Sequence, residues 1–354
     1  MGADDFVGTS VVRPGHEIDE GRLTQWCAQN VDGFQGPLTV TQFRGGQSNP
    51  TYKLTTPDAL YVLRRKPTGK LLKGAHAIER EAQVMRALCG QFPVPRVYAF
   101  SQDEQVIGTP FYIMSYAEGR IFWDARLPHL DAPSRPAYFD AMNETLARLH
   151  GIDYAELGLS GFGRPENYVM RQIERWSKQY QADADAGRDP NMDRLIEWLP
   201  NHVPPEQQAR IVHGDFRIDN LVFHPTEPRV CAVLDWELAT LGDPLVDFAY
   251  HAMMYRMPPT PIAGLRGEDL NALNIPSERE YVARYCRRTG RKGIPDLDFY
   301  MAFNLFRIAA IFHGIKGRML RGTAVSTRAG SLAAAIASMA QLAWHQANRV
   351  TVKP

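Results

Sequence analysis

Hydrophobic periodicity changes character once along this chain, and that change limits the fold more than any single residue does. In the first third, short apolar runs are bounded by turn formers: "LTVTQF" (38–43), "TYKLTT" (51–56) and "LYVLRR" (60–65), then "RVYAFSQ" and "PFYIMSY". Such runs mark strands, and the first three read as an antiparallel meander. "AHAIEREAQVMRAL" (75–88) interrupts them with helical spacing of Ile78, Ala82, Met85 and Leu88. "DEGRLTQWCAQN" reads as a short helix before the strands, and residues 1–16 read as a loose arm. Past "AEGR" (117–120) the apolar spacing becomes helical over 134–150, 168–182, 243–256, 278–289, 297–315 and 325–346. "ADADAGRDPN" (182–191) reads as a surface loop, and 211–235 breaks the helical pattern as strand, turn, strand. The expectation is an α+β chain of two lobes. An arm and helix fill 1–36, an antiparallel-sheet N-lobe fills 37–116, and a mostly helical C-lobe fills 117–354 and carries the hairpin 211–237.

The chain has 354 residues, enough for two cores. Its net charge of +1 argues against general nucleic-acid or membrane-surface binding, so any cationic site must be local. The four cysteines, Cys27, Cys89, Cys231 and Cys286, form no CxxC pair, which fits a reducing cytoplasm better than a disulfide framework. "MGADDFVGTS" lacks the apolar core of a signal peptide, and no apolar run approaches the ~18–20 residues that span a bilayer.

The chemistry concentrates in "HGDFRIDNLVF" (213–223) and "RVCAVLDWE" (229–237). "PTEPR" between the two strand-like runs is a turn. Folded as a hairpin with facing positions summing to about 455, the two runs bring Asn220 opposite Asp235. An amide oxygen and a carboxylate suit a hard cation, Mg²⁺ above all, which keeps several waters and takes one or two protein oxygens plus substrate phosphates. Asp215, away from that pair, can accept a proton from an attacking hydroxyl. Arg217 can offset charge on a phosphate in transfer. Base, clamp and metal ligands are the parts phosphoryl transfer needs. In "RGGQSNPTYKL", Gly45, Gly46, Ser48 and Asn49 lie between two strands, where backbone N–H groups can cover nucleotide phosphates.

His213-Gly214-Asp215, four residues, Asn220, then Asp235-Trp236-Glu237 resembles the core of the aminoglycoside phosphotransferase and choline kinase group, relatives of the protein kinases. The resemblance implies a protein-kinase-like two-lobed fold that uses ATP and Mg²⁺, with Asp215 as base and Asn220 and Asp235 as metal ligands. It puts Arg64 at the third-strand cation position, with Glu81 as its helix partner, and the backbone of Ser115 and Tyr116 at the adenine. Glu237 stands where kinases carry Gly and could reach a second metal. "NYVMRQIERWSKQY" (167–180) and "NLFRIAAIFHGIKGRMLRG" (304–322) resemble a narrower branch, the kinase-like domain fused to acyl-CoA dehydrogenases, whose members act on hydroxyacyl-CoA thioesters. That implies a small-molecule hydroxyl acceptor, with a CoA thioester the leading one, and a functional link to a dehydrogenase. Arg307, Lys316, Arg318 and Arg321 are positioned in sequence to meet an anionic acceptor. A polycationic antibiotic would want an acidic pocket, and 299–354 contains no Asp or Glu.

Plainer readings stand beside these. His213 reads as a buried support of the catalytic loop and Asp243-Pro244 as a helix N-cap, with Asp247 as a brace. Gly45-Gly46 is also compatible with a tight hairpin, Arg64–Glu81 with a surface pair, and the C-terminal cations with a solvated helix end. The rival functions are an antibiotic kinase, a nucleotide-binding pseudokinase that regulates, and a metal-dependent hydrolase using His213, Asp215 and His224.

Overall fold

The computed structural model describes residues 8–44, 49–67, 77–260, 264–322 and 329–350. Gly45, Gly46 and Ser48 therefore lie outside the described residues. The chain divides into two compact units, one of Met1–Ile121, Leu157–Leu159 and Asn220–Ala239, the other of Phe122–Glu156, Ser160–Asp219 and Thr240–Pro354.

The first unit is built on one antiparallel sheet. Its strands are β1 (Thr9–Ser10), β2 (Thr39–Phe43), β3 (Thr51–Thr55), β4 (Leu60–Arg65), β5 (Val97–Ser101) and β6 (Phe111–Ser115), in spatial order β1-β2-β3-β4-β6-β5. The expected meander is β2-β3-β4. Alternation sorts side chains by face. Tyr52 and Leu54, Tyr61 and Leu63, and Phe111 and Ile113 share a core with Leu23 and Cys27 of helix α1 (Glu20–Asn30). Each such side chain contributes about 1.5–3 kcal/mol by leaving water. Helix α2 (Ile78–Leu88) packs on β5 and β6 and buries Ile78, Glu81, Ala82, Val84, Met85 and Leu88. Five of the six residues of β4 are buried, which is why "LYVLRR" reads as a continuous run rather than a strict alternation. A short helix, α3 (Glu104–Ile107), joins β5 to β6.

The last four strands divide between the units. β7 (Arg210–Val212) pairs with β10 (Thr240–Gly242) in the second unit, while β8 (Leu221–Phe223) and β9 (Val230–Val233) form a hairpin in the first. The sequence grouped the whole hairpin with the helical lobe. In the structure the Val233 amide donates to the Pro93 carbonyl (2.8 Å), and the Trp236 ring meets Phe92 edge-on, so this segment belongs with the sheet. Gly119 is required here: a Cβ would lie 2.1 Å from the Phe223 carbonyl oxygen, where Arg120 exchanges two backbone hydrogen bonds with Phe223.

The second unit is helical. It comprises α4 (Arg135–Gly151), α5 (Tyr168–Ala182), α6 (Pro190–Trp198), α7 (Pro244–Ala252), α8 (Glu278–Arg288), α9 (Leu297–Leu320), α10 (Ala329–Ala334) and α11 (Ile336–Ala347). Helix α9 is buried on every face over Phe299–Ala310, and α5, α7, α10 and α11 pack against it. Helix α6 falls partly in the expected surface loop. Asp189 caps it by accepting from the Asn191 and Met192 amides, with Pro190 at its first position. The expected single C-terminal helix is two, α10 and α11.

Candidate active site

Alternation sends Arg64 to the α2 side of the sheet and Arg65 to the α1 side. Arg65 is 2% exposed, donates to the carbonyls of Ile107 and His16, and lies over the Tyr52 ring at 5.2 Å. Arg64, 7% exposed, meets three carboxylates. Its Nε is 2.9 Å from Glu81 Oε2, its Nη2 donates to Asp235 Oδ1 at 2.7 Å, and Glu237 Oε2 is 3.7 Å away. The Glu81 contact is an ion pair whose N–H is not aligned with the oxygen; the directed bond goes to Asp235. Burial pushes the Glu81 carboxyl up, and Arg64 offsets part of that rise. Asn49 is fully buried, and its Nδ2 donates to Glu237 Oε2 at 3.2 Å.

The hairpin differs from expectation by one position. Leu221 pairs with Val233 and Val222 with Ala232, and a bulge follows before Phe223 meets Val230. Asn220 therefore faces Leu234, whose amide donates to the Asn220 carbonyl at 2.8 Å. Asp235 comes one residue later, in the left-handed region (φ 64°), a conformation Asp tolerates better than most residues and one that turns its carboxylate out of the strand pattern. Asn220 and Asp235 remain together at the open end of the hairpin. Both offer hard oxygen donors, and no cluster of three or more His, Cys, Asp or Glu able to hold a metal occurs among the described residues. That set fits Mg²⁺ taken up with phosphate oxygens, not a closed protein cage.

At the end of β6, the Ser115 amide donates to the Arg96 carbonyl (2.8 Å), so that group is committed to the sheet. Tyr116 lies beneath the Lys53 ammonium (5.2 Å) and lines a groove with the turn Thr56–Leu60 and Glu118.

In the second unit, the His213–Asp215 loop is held mainly through its backbone. Asp247 on α7 accepts from the His213 amide (2.7 Å) and the Gly214 amide (2.9 Å), and His150 Nε2 is 3.3 Å from the same carboxylate. Burial would raise the Asp247 carboxyl; the hydrogen bonds from His150 and the His213 amide outweigh it and hold the group below the usual carboxylate range. His213 is fully buried, and its Nδ1 accepts from the Asp215 amide at 3.1 Å. Gly214 has φ 81°, so a side chain here would be strained, and its carbonyl accepts from Arg307 at 2.6 Å. Asp215 Oδ1 accepts from the Tyr250 hydroxyl at 2.5 Å and lies 3.1 Å from Arg217 Nε. Arg217 also reaches Asp219 Oδ2 at 3.1 Å. Burial and the Asp215 charge raise the Tyr250 phenol, which stays protonated and acts as donor.

Sequence reasoning missed Tyr250. The C-terminal cations also differ from expectation. Arg307 is 5% exposed and lies over the Tyr250 and Trp176 rings, at 4.8 and 5.5 Å. Lys316 donates to the Ala186 carbonyl at 2.7 Å, and Arg321 makes two bonds of 2.8 Å to Asp183. All three are committed within the unit, Arg307 to the Gly214 carbonyl and Lys316 and Arg321 to oxygens of residues 183–186.

A carboxylate anchored to a backbone-braced loop, with an arginine beside it and an antiparallel-sheet unit carrying a buried Arg–Glu pair, defines a protein-kinase-like small-molecule phosphotransferase. The chain belongs to the phosphotransferase enzyme family APH, whose model matches residues 39–303. It is 47% identical over 317 residues to acyl-CoA dehydrogenase family member 10 of Mus musculus, covering 89% of this chain and 30% of that protein. The chain thus spans less than half the length of such relatives. A Ralstonia eutropha structure assigned to the aminoglycoside phosphotransferases matches with TM-score 0.86 and 48% identity, over 95% of this chain and 100% of that one. At 16% identity and TM-score 0.60, over 92% of this chain and 98% of that one, aminoglycoside phosphotransferase APH(4)-Ia in complex with AMP-PNP and hygromycin B shares the fold.

Proposed function

We propose that this chain transfers the γ-phosphoryl group of ATP, with Mg²⁺, to a hydroxyl of a hydroxyacyl-CoA. The observation that carries the kinase reading is the fixed Asp215 carboxylate, with Tyr250 on Oδ1 and its loop pinned by Asp247. In this reading Asp215 accepts the acceptor's hydroxyl proton as the oxygen forms its bond to the γ-phosphorus. The bond from that phosphorus to the β–γ bridging oxygen breaks, and ADP leaves. Arg217 offsets charge on the moving phosphoryl group. Arg64, oriented by Glu81, contacts the nucleotide phosphates. Asn220 and Asp235 hold Mg²⁺, which shields phosphate charge when bound. ATP is supported by the AMP-PNP held by a protein of the same fold. The acyl-CoA acceptor, and a dehydrogenase acting on the same thioesters, are supported by the name of the mouse relative.

The test is mass spectrometry of mixed 4-hydroxyacyl-CoAs incubated with enzyme and Mg-ATP, beside Asp215→Asn. A phosphorylated thioester that disappears in the variant supports the whole reading. ATP turnover with aminoglycosides or simple alcohols instead would keep the kinase and discard the thioester. No turnover with any acceptor would favour a regulatory pseudokinase.

A further inference from the structure

Helix α5 turns Tyr168, Val169, Ile173, Trp176 and Tyr180 inward and leaves Arg175 exposed beside them. The Arg175 guanidinium lies over the Trp176 ring, 5.1 Å from its centre, and Arg307 lies over the same ring at 5.5 Å. Two like charges thus share one indole. Arg307 is accounted for by the Gly214 carbonyl and the Tyr250 ring. Arg175 makes no hydrogen bond or ion pair among the described residues; its one specific contact is Trp176. Its side chain reaches solvent, yet surrounding protein strips enough water from the guanidinium to lower its pKa, and the Arg307 charge lowers it further. The neighbouring Tyr168 phenol offsets part of this fall without reversing it.

A partly desolvated cation held beside a second cation without a counter-ion is unfavourable unless an anion arrives. Guanidinium suits carboxylate and phosphate because its fork can bond two oxygens at once. The place of this arginine is also informative. Arg175 touches Trp176, Trp176 touches Arg307, Arg307 touches Tyr250, and Tyr250 bonds Asp215.

We propose that Arg175 is an oxyanion subsite that anchors a phosphate or carboxylate of the hydroxyl acceptor. This rests on the kinase reading for its purpose, and it selects anionic acceptors over cationic ones. The anion could be a phosphate of CoA or the carboxylate of a free hydroxy acid, and the two are separable.

The experiment compares three acceptors that carry the same hydroxyl: a 4-hydroxyacyl-CoA, its neutral N-acetylcysteamine thioester, and the free 4-hydroxy acid. With Arg175→Gln, KM for the CoA thioester should rise about 10- to 100-fold while KM for the neutral thioester stays put. Arg175→Lys should recover part of the loss, and Lys178→Gln, one turn further along α5 and exposed, should change neither. A KM rise confined to the free acid would assign the anion as carboxylate and support the subsite. Calorimetry with unesterified CoA, without nucleotide, reads the subsite apart from catalysis, and Arg175→Gln should weaken it at least tenfold. Weakened CoA binding in a protein that phosphorylates nothing would keep the subsite and discard the kinase. Unchanged CoA binding together with unchanged KM for both anionic acceptors would overturn the proposal, leaving Arg175 as cover for Trp176.

Discussion

The two units hold their candidate site carboxylates differently. In the first, Arg64 stands among Glu81, Asp235 and Glu237, and order comes from charge drawn together from a strand, a helix and a hairpin. In the second, Asp215 takes a hydroxyl bond from Tyr250 and an ion pair from Arg217, and its loop hangs on backbone amides that donate to Asp247. A charge network can be rearranged by bringing in new charge, as a metal–nucleotide complex does. A backbone-pinned loop cannot be rearranged without breaking hydrogen bonds. The first arrangement would suit the nucleotide contacts proposed for it, and the second the base proposed for Asp215.

The sharpest separation comes from Asp215→Asn. The amide keeps the shape but cannot take the proton, so kcat should fall by about 10²- to 10⁴-fold with the melting temperature nearly unchanged. A fall in stability to match the fall in rate would mean that Asp215 is structural, and the contrast between the units would collapse. Arg64→Met comes next. It leaves Glu81, 1% exposed, without its cation and should cost about 3–5 kcal/mol in urea unfolding. Adding Glu81→Met should recover much of that loss, because replacing both members of a buried pair with apolar groups is often neutral. An Arg64→Met protein with an unshifted urea midpoint would show that the network carries no stability.

Acid should expose the second unit's reliance on neutral groups. His251, bonded to the Tyr281 hydroxyl and packed edge-on against Phe216, is held by burial down to a pKa of about 4. Below about pH 6.5 the unfolded chain takes up a proton that the folded chain refuses. Stability from this group is complete above pH 6.5 and declines as pH falls towards 4, by about 3 kcal/mol in all. Replacing His251 with Gln should flatten the urea-midpoint profile over that window, and an unflattened profile would show that His251 titrates freely in the folded state.

What could be read from sequence follows the range of the interaction. The sheet and most helices were legible because each buries one face and so repeats its apolar residues at a fixed period. The opposite fates of Arg64 and Arg65 followed from alternation alone. The hairpin register came out one position off at Leu221–Val233 and two off at Phe223–Val230, since the apolar pattern marks neither the centre of the turn nor the bulge between Val222 and Phe223. Helix α6 was hidden by the polar run before it, although Asp189-Pro190 is the same cap-and-proline start that Asp243-Pro244 gives α7. β10 has three residues, too few for a period. The C-terminal cations looked accessible because nothing nearby in sequence announces that Asp183, Ala186 and Gly214 supply their oxygens. Tyr250 was lost for a related reason: in "PLVDFAYHA" it reads as one more buried aromatic.

Tyr250 gives the smallest predicted effect and the most specific one. Tyr250→Phe keeps the ring beneath the Arg307 guanidinium, so packing in the second unit should hold and stability should shift by no more than about 1 kcal/mol. What disappears is the Tyr250 hydroxyl donor on Asp215 Oδ1, worth about a factor of ten if that bond fixes the carboxylate for proton transfer. The loss should appear in kcat, with KM for nucleotide unchanged, because the residues proposed to hold nucleotide lie in the charge network and not in this loop. In an Asp215→Asn background the same change should cost almost nothing, since the two side chains act as one unit. Equal losses in both backgrounds would make Tyr250 a packing residue, and a change in nucleotide KM would show that the two kinds of anchoring are coupled.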